Sequence, residues 1–212
     1  MQKTHTFIVA GIDTDVGKTV ASAVLAEGLK ADYWKPVQAG DLHYTDTDKV
    51  RRWVSNRESV MHSEAYRLNS PVSPHAAAAI DGVRIELENQ PIPSTSRPLL
   101  IELAGGLMVP LREDYLIIDW LKSLQLPVIL VSKYYLGNIN HTLLSIDALQ
   151  RRGIPLAGVL FNGEEVETTR QAILKYGNVP FIGHIEQMEK VNSENIRKQA
   201  DRVLPHFPLS KK

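Results

Sequence analysis

The sequence predicts an α/β fold, a doubly wound and mostly parallel sheet with helices on both faces. Three observations carry that expectation. Short apolar runs along the chain are continuous rather than alternating, as strands covered on both faces require. Helical patterns lie between them, which makes the connections right-handed parallel crossovers. A glycine-containing loop sits between the earliest run and the earliest helix, at the kind of strand end where such sheets gather ligands.

In chain order, Phe7–Ala10 reads as the opening strand, Gly11–Thr19 as the loop and Val20–Leu29 as a helix. Tyr33–Val37 is the next strand, and Asp46-Thr47-Asp48 precedes a further helical pattern. The stretch from Tyr66 to Pro98 is the least regular, with Pro71, Pro74, Pro91, Pro93 and Pro98 around the small-residue run Ala76–Ala79. It reads equally as a functional excursion or as a solvent-exposed connection. Leu99–Ala104 follows as a strand, and Pro127 separates a helix end from strand Val128–Ser132. Ile139, Leu143, Ile146 and Leu149 share one helix face, with Asn138 or Asn140 as cap and Gly153 as a left-handed exit. Strand Gly158–Phe161, a helix over Glu164–Tyr176 ending before Gly177, strand Phe181–Ile185 and a helix over Ser193–Leu204 complete the pattern.

A chain of 212 residues suits one α/β domain spanning 1–212. Lys plus Arg and Asp plus Glu each number 24, so no overall field draws the protein to nucleic acid or to an anionic membrane, and a small-molecule partner is expected. Cysteine is absent, which excludes disulfides and thiolate zinc sites and fits a reducing compartment. The histidines are scattered, with no pair at metal-ligand spacing. Phe7–Ala10 is too short for a signal-peptide core and no run reaches spanning length, so a cytoplasmic protein is expected.

Gly11-Ile12-Asp13-Thr14-Asp15-Val16-Gly17-Lys18-Thr19 has the residue types of a phosphate-binding loop. Backbone N–H groups face phosphate oxygens, Lys18 supplies a mobile cation and Thr19 a hydroxyl for Mg²⁺. Five residues rather than four separate Gly11 from Gly17, which makes the turn a variant with Ile12 at the usual place of the leading glycine. Lys35 interrupts an otherwise buried strand and needs an anion, a bound phosphate or carboxylate, unless it snorkels from an edge strand. Glu102, at a strand end and followed by glycines, suits a Mg²⁺ ligand, with a structural ion pair as the alternative. Of the two aspartates before the second helix, Asp46 is the better cap candidate, which leaves Asp48 either a metal ligand or a solvated helix start.

These residues together resemble the dethiobiotin synthetase family. The resemblance rests on Gly-x-Asp-Thr-x-Val-Gly-Lys-Thr at Gly11–Thr19, Lys-Pro-Val at Lys35–Val37, Glu-x-Ala-Gly-Gly at Glu102–Gly106 and Leu-Gly-Asn-Ile-Asn-His at Leu136–His141. Ser-Pro-His at Ser73–His75 and Asn162 after a strand also match, so the likeness covers nearly the whole chain. It implies a fold of the P-loop NTPase type and an ATP- and Mg²⁺-dependent cyclo-ligase. Such an enzyme joins 7,8-diaminopelargonate and CO₂ into the ureido ring of dethiobiotin through a carbamate and a carbamic-phosphoric anhydride.

The same resemblance implies roles for individual residues. Lys18 and Lys35 are the catalytic cations. ATP is held by Asp15, Val16, Gly17, Lys18, Thr19 and Val20 on the loop and helix, by Asp48, and by Glu102, Leu103, Ala104 and Gly105. Asn162 and Gly163 lie at the adenine. Thr14, Lys35, Ala39 and Asn138 contact the substrate, and Thr19, Asp48 and Glu102 bind the metal. The Leu136–His141 segment implies a homodimer, its helix start reaching a substrate carboxylate across the two-fold. Three places depart from the family pattern: Gln38-Ala39-Gly40 lacks the usual hydroxyl, Leu103 replaces a glycine, and no proline follows Gly183-His184-Ile185. Two other readings share the loop: a partitioning or cell-division ATPase switch, whose signature lysine near the loop start is missing here, and an amide-forming synthase with a larger substrate domain.

Overall fold

The computed structural model describes residues 5–207. Strand β1 (Thr6–Gly11) leads through the loop into helix α1 (Lys18–Leu29). Strand β2 (Asp32–Trp34) is followed by β3 (Val37–Ala39), α2 (Asp46–Trp53), β4 (Tyr66–Leu68) and α3 (Pro74–Asp81). Next come β5 (Leu99–Gly106), a small hairpin of β6 (Pro110–Arg112) and β7 (Tyr115–Leu116), and α4 (Ile117–Leu124). The chain continues through β8 (Val128–Lys133), α5 (Asn138–Arg151), β9 (Leu156–Asn162), α6 (Glu167–Gly177), β10 (Phe181–Ile185) and α7 (Ser193–Val203).

The main sheet has the order β10-β9-β8-β1-β5-β2, and every pair in it is parallel. From β1 the chain goes to β2 and β5 on one side, then crosses to β8 on the other. The order therefore reverses at β1, and the carboxyl end of β1 opens into the crevice that such a switch creates. Helices α1, α2 and α7 cover one face, through Val24, Val50 and Ile196 among others. Helices α3, α4, α5 and α6 cover the opposite face, through Ala77, Trp120, Leu149 and Ile173.

Strand periodicity assigns the functional residues to faces. Leu99, Ile101 and Leu103 pack toward α4 and α5, whereas Leu100 packs toward α1. Glu102 shares the parity of Leu100, which aims its carboxylate at α1.

Several expected elements differ in detail. Tyr33–Val37 is not one strand: pairing with β5 stops at Trp34, and Val37–Ala39 joins β4 in a separate two-stranded sheet. Pro36 has no N–H to donate and bends the chain there. The cap of α5 is Gly137 at φ 107, so Asn138 is its first helical residue. Helix α6 includes Gly177 and leaves through Asn178 at φ 48. The irregular Tyr66–Pro98 stretch contains β4, α3 and a single 3₁₀ turn at Leu87–Asn89. Among the described residues no helix is long and apolar enough to cross a membrane.

Candidate functional site

A cleft of about 870 Å³ opens at the carboxyl ends of β1, β2 and β5. Its floor is the loop after β1. Gly17 has φ 90, and a side chain there would meet the Asn162 amide at 2.2 Å, so only glycine fits the turn into α1. Asn162 in turn donates from Nδ2 to the Val16 carbonyl at 2.9 Å. Ile12, at the variant position of the turn, donates its N–H to Val131 O at 3.2 Å and rests partly on the core.

Two buried lysines converge on the cleft. Lys18 donates to Asp13 O at 2.9 Å, folding its ammonium back over its own loop. Burial pulls Lys18 down to about 8, against the raising effect of Glu102 and with a further lowering push from Lys35. Lys35 donates to Asp46 and, at 3.2 Å, to Glu102 Oε1. Burial lowers the Lys35 pKa, but the charges of Glu102 and Asp46 outweigh it, and the group stands above its ordinary value. Burial likewise opposes ionisation of Asp46, yet the Lys35 charge and hydrogen bonds from Lys35 and Lys49 hold it at about 2. Lys35 is thus no snorkelling edge lysine: β2 is an edge strand, but its ammonium turns inward between two carboxylates.

Glu102 accepts from Thr19 Oγ1 at 2.9 Å, Ser22 Oγ at 2.7 Å and the Tyr33 hydroxyl at 3.0 Å. Thr19 and Ser22 stand three residues apart on one face of α1, opposite the inward face of β5. Among the described residues no group of three or more His, Cys, Asp or Glu could hold a metal. The oxygens of Thr19, Glu102 and Asp46 are nonetheless hard donors of the number Mg²⁺ uses when phosphates and water complete its shell.

Asp48 does not belong to this cleft. Thr45, not Asp46, caps α2, and Asp48 closes the capping box by accepting from Thr45 N at 3.1 Å and Thr45 Oγ1 at 3.0 Å. Its other oxygen holds Arg51 at 2.6 Å. Asp46, the residue expected to cap, is the one beside Lys35 and along the cleft wall. The helix phase explains the exchange: residues two apart on a helix point in different directions.

Thr14, Asp15, Gly17, Lys18, Thr19, Lys35, Ala39, Glu102, Ala104 and Gly105 all line the cleft. Leu103 does not, because its parity sends the side chain into the core on the far face of the sheet. Val16 is buried and Val20 half-buried against α1's own core, so neither offers a side chain to a ligand. Asn138 lies on α5, away from the cleft wall, and its N–H already donates to Tyr135 O at 3.1 Å. Asn162 and Gly163 stand at the carboxyl end of β9, next to the loop.

The sequence did not single out Asp41, Tyr44, Lys49 and Trp53, which form part of the wall. Pro71, Val72, Ser73 and Pro74, from the stretch that read equally as a functional excursion or a connection, also line it. Gly40, at φ 72, lets Pro71 approach to where a side chain would collide at 2.5 Å, and this brings that stretch over the cleft.

A family model described as an AAA domain matches residues 5–195. The ATP-dependent dethiobiotin synthetase BioD of Christiangramia forsetii is 50% identical over 92% of this chain and 94% of its own length. That of Afipia carboxidovorans is 48% identical over 90% of this chain and 91% of its own length. Among solved structures, a chain of the MinC:MinD cell division protein complex of Aquifex aeolicus has a TM-score of 0.54 at 13% identity, covering 99% of both chains. A ParA family ATPase from Chlorobium tepidum gives 0.51 at 13% identity, over 98% of this chain and 93% of its own. These two share the fold, a P-loop α/β architecture with a parallel sheet.

Proposed function

The chain belongs to the ATP-dependent dethiobiotin synthetase family, and we propose that it works as a single-domain, Mg²⁺-dependent cyclo-ligase closing the ureido ring of dethiobiotin from 7,8-diaminopelargonate, CO₂ and ATP. The observation that carries this reading is the meeting of Lys18 and Lys35 with Thr19, Asp46 and Glu102 in one cleft.

The chemistry explains why two buried cations are needed. One amine of the substrate adds to CO₂ and loses a proton, giving a carbamate. A carbamate oxygen then attacks the γ-phosphorus of ATP, ADP leaves, and a carbamic-phosphoric anhydride remains. The second amine attacks the carbonyl carbon, and inorganic phosphate departs as the ring closes. The phosphoryl step brings two anions together, so its barrier falls only where fixed positive charge waits for them.

Lys35 is fixed by its two carboxylates and serves as the cation for carbamate and transferring phosphate. Lys18 leaves the Asp13 carbonyl for the phosphates when nucleotide arrives, and the N–H groups opening α1 point the same way. Thr14 and Ala39, which line the cleft, are assigned to the substrate, and Asn162 and Gly163, at the carboxyl end of β9, to the base. Mg²⁺, which Thr19, Asp46 and Glu102 would hold, supplies neutralising charge to the phosphates.

Tyr135, Leu136 and Ile139 project from the start of α5 as an exposed apolar group, which supports a homodimer formed through this region. The reaction is assigned to the cytoplasm, where ATP is plentiful.

Incubation with diaminopelargonate, ATP and bicarbonate, read by mass spectrometry, is expected to give dethiobiotin with ADP and phosphate in equal amounts. ATP turnover that persists unchanged without diaminopelargonate or bicarbonate would overturn the proposal.

A further inference from the structure

The two oxygens of Glu102 serve different donors. Oε1 accepts from Thr19 Oγ1 at 2.9 Å and Lys35 Nζ at 3.2 Å, and both of those residues line the cleft. Oε2 accepts from Ser22 Oγ at 2.7 Å and the Tyr33 hydroxyl at 3.0 Å, and both of those residues are 0% exposed. The fold builds this division. Tyr33 pairs with Leu100 across β2 and β5, so its ring lies on the α1 face beside Glu102, while Ser22 stands one helical turn beyond Thr19. Phenylalanine would fill the same apolar space as Tyr33, so packing alone does not call for the hydroxyl.

We propose that Tyr33 and Ser22 are positioning residues which together occupy Oε2 and so present Glu102 to the divalent ion through Oε1 alone. The inference rests on the reading of Glu102 as a metal ligand. Its consequence is selectivity. Mg²⁺ is small and takes carboxylates through one oxygen in a near-ideal octahedron, whereas Ca²⁺ accepts two-oxygen ligation and a looser shell. Freeing Oε2 therefore weakens the fit to the smaller ion more than to the larger one.

The test uses the full chain with a non-hydrolysable ATP analogue, titrated with Mn²⁺ and followed by electron paramagnetic resonance, then with Mg²⁺ or Ca²⁺ as competitor. Tyr33→Phe and Ser22→Ala are each expected to weaken Mn²⁺ and Mg²⁺ about tenfold, with a smaller loss for Ca²⁺. Analogue affinity in the presence of a chelator stays as in the unaltered chain. Melting curves establish that each variant is folded, and Ser22→Ala carries the test if Tyr33→Phe does not fold. Variants that match the unaltered chain in ion affinity, or that lose all three ions equally, overturn the inference. An unaltered chain that binds no Mn²⁺ beside the analogue overturns the metal reading itself, and this inference with it.

Discussion

Asn162 Nδ2 donates to Val16 O at 2.9 Å, tying the end of β9 to the turn of the phosphate-binding loop across a long sequence separation. The bond holds the loop in place from outside and brings the amide within 2.2 Å of where a Gly17 side chain would stand. Asn162→Ala is expected to remove about 1 kcal/mol of stability and to raise the KM for ATP more than it lowers kcat. Steady-state kinetics with ATP as the varied substrate check this. An unchanged KM would mean that the loop keeps its shape without the tether.

Lys35 lies between Asp46 and Glu102 with 7% of its side chain exposed, so removing it does two things at once. The transition state loses a cation, which is expected to reduce turnover about 10²–10³-fold. The fold loses the cation paired with buried Glu102 and one of the two cations paired with half-buried Asp46, at a cost of up to about 3–5 kcal/mol. A variant that preserves the fold is therefore not Lys35→Ala at neutral pH. The melting temperature of Lys35→Ala at pH 7 is expected to fall below that of the unaltered chain. An unchanged melting temperature would show that the fold does not depend on Lys35 pairing with Glu102 and Asp46.

Nucleotide affinity should depend on pH through Lys18. Its ammonium releases a proton near pH 8 in the folded chain but near 10.5 when unfolded, chiefly because of burial. Between these values the unfolded chain binds more protons, so this group makes stability rise with pH across that window; its burial penalty is complete below pH 8. Phosphates favour the charged form, so ATP affinity is level below pH 8 and falls above it, by at most about tenfold per pH unit. Titration of ATP at pH 7, 8 and 9 in one buffer system reads the effect, and affinity that stays level to pH 9 would place the Lys18 pKa elsewhere.

The proposed Mg²⁺ site takes in Asp46, beside Lys35 in the cleft, and leaves out Asp48. Asp46→Asn is expected to raise the Mg²⁺ concentration for half-maximal activity by about tenfold or more. Asp48→Asn leaves that concentration unchanged and removes at most about 1 kcal/mol with the loss of the capping box. A raised Mg²⁺ requirement in Asp48→Asn would place Asp48, not Asp46, at the ion.

How far this site was legible depends on the spacing each residue needed. The loop, Lys35 and Glu102 were legible because strand ends and glycines mark them locally. The choice between Asp46 and Asp48 turned on one helix phase, and the signal that decides it was present: Thr45-x-x-Asp48 is a capping box, which places the cap at Thr45. Tyr33 and Ser22 carried no such mark, since a strand tyrosine and a mid-helix serine read as packing until β2, β5 and α1 are brought together. Leu103 became interpretable only with the parity of β5, and the Pro-rich stretch only with the close approach of Pro71 to Gly40.

Leu136 is 104% exposed immediately before the Gly137 turn that starts α5, with Tyr135 and Ile139 beside it in sequence, each 37% exposed. Ile146 and Leu149 of the same apolar series are buried, so the helix enters the core while its first turn stands clear of it. A fully exposed leucine on a left-handed glycine turn has no packing role within its own chain. Its desolvation by a second copy would contribute about 1.5–3 kcal/mol for each buried side chain. Leu136→Asp is expected to shift the chain toward monomer in sedimentation measurements while leaving its melting curve as a monomer unchanged. If partner residues complete the substrate site, the KM for diaminopelargonate rises and that for ATP does not. An unaltered chain that is monomeric at micromolar concentration would remove the dimer, and with it any role for Asn138 at the partner's substrate.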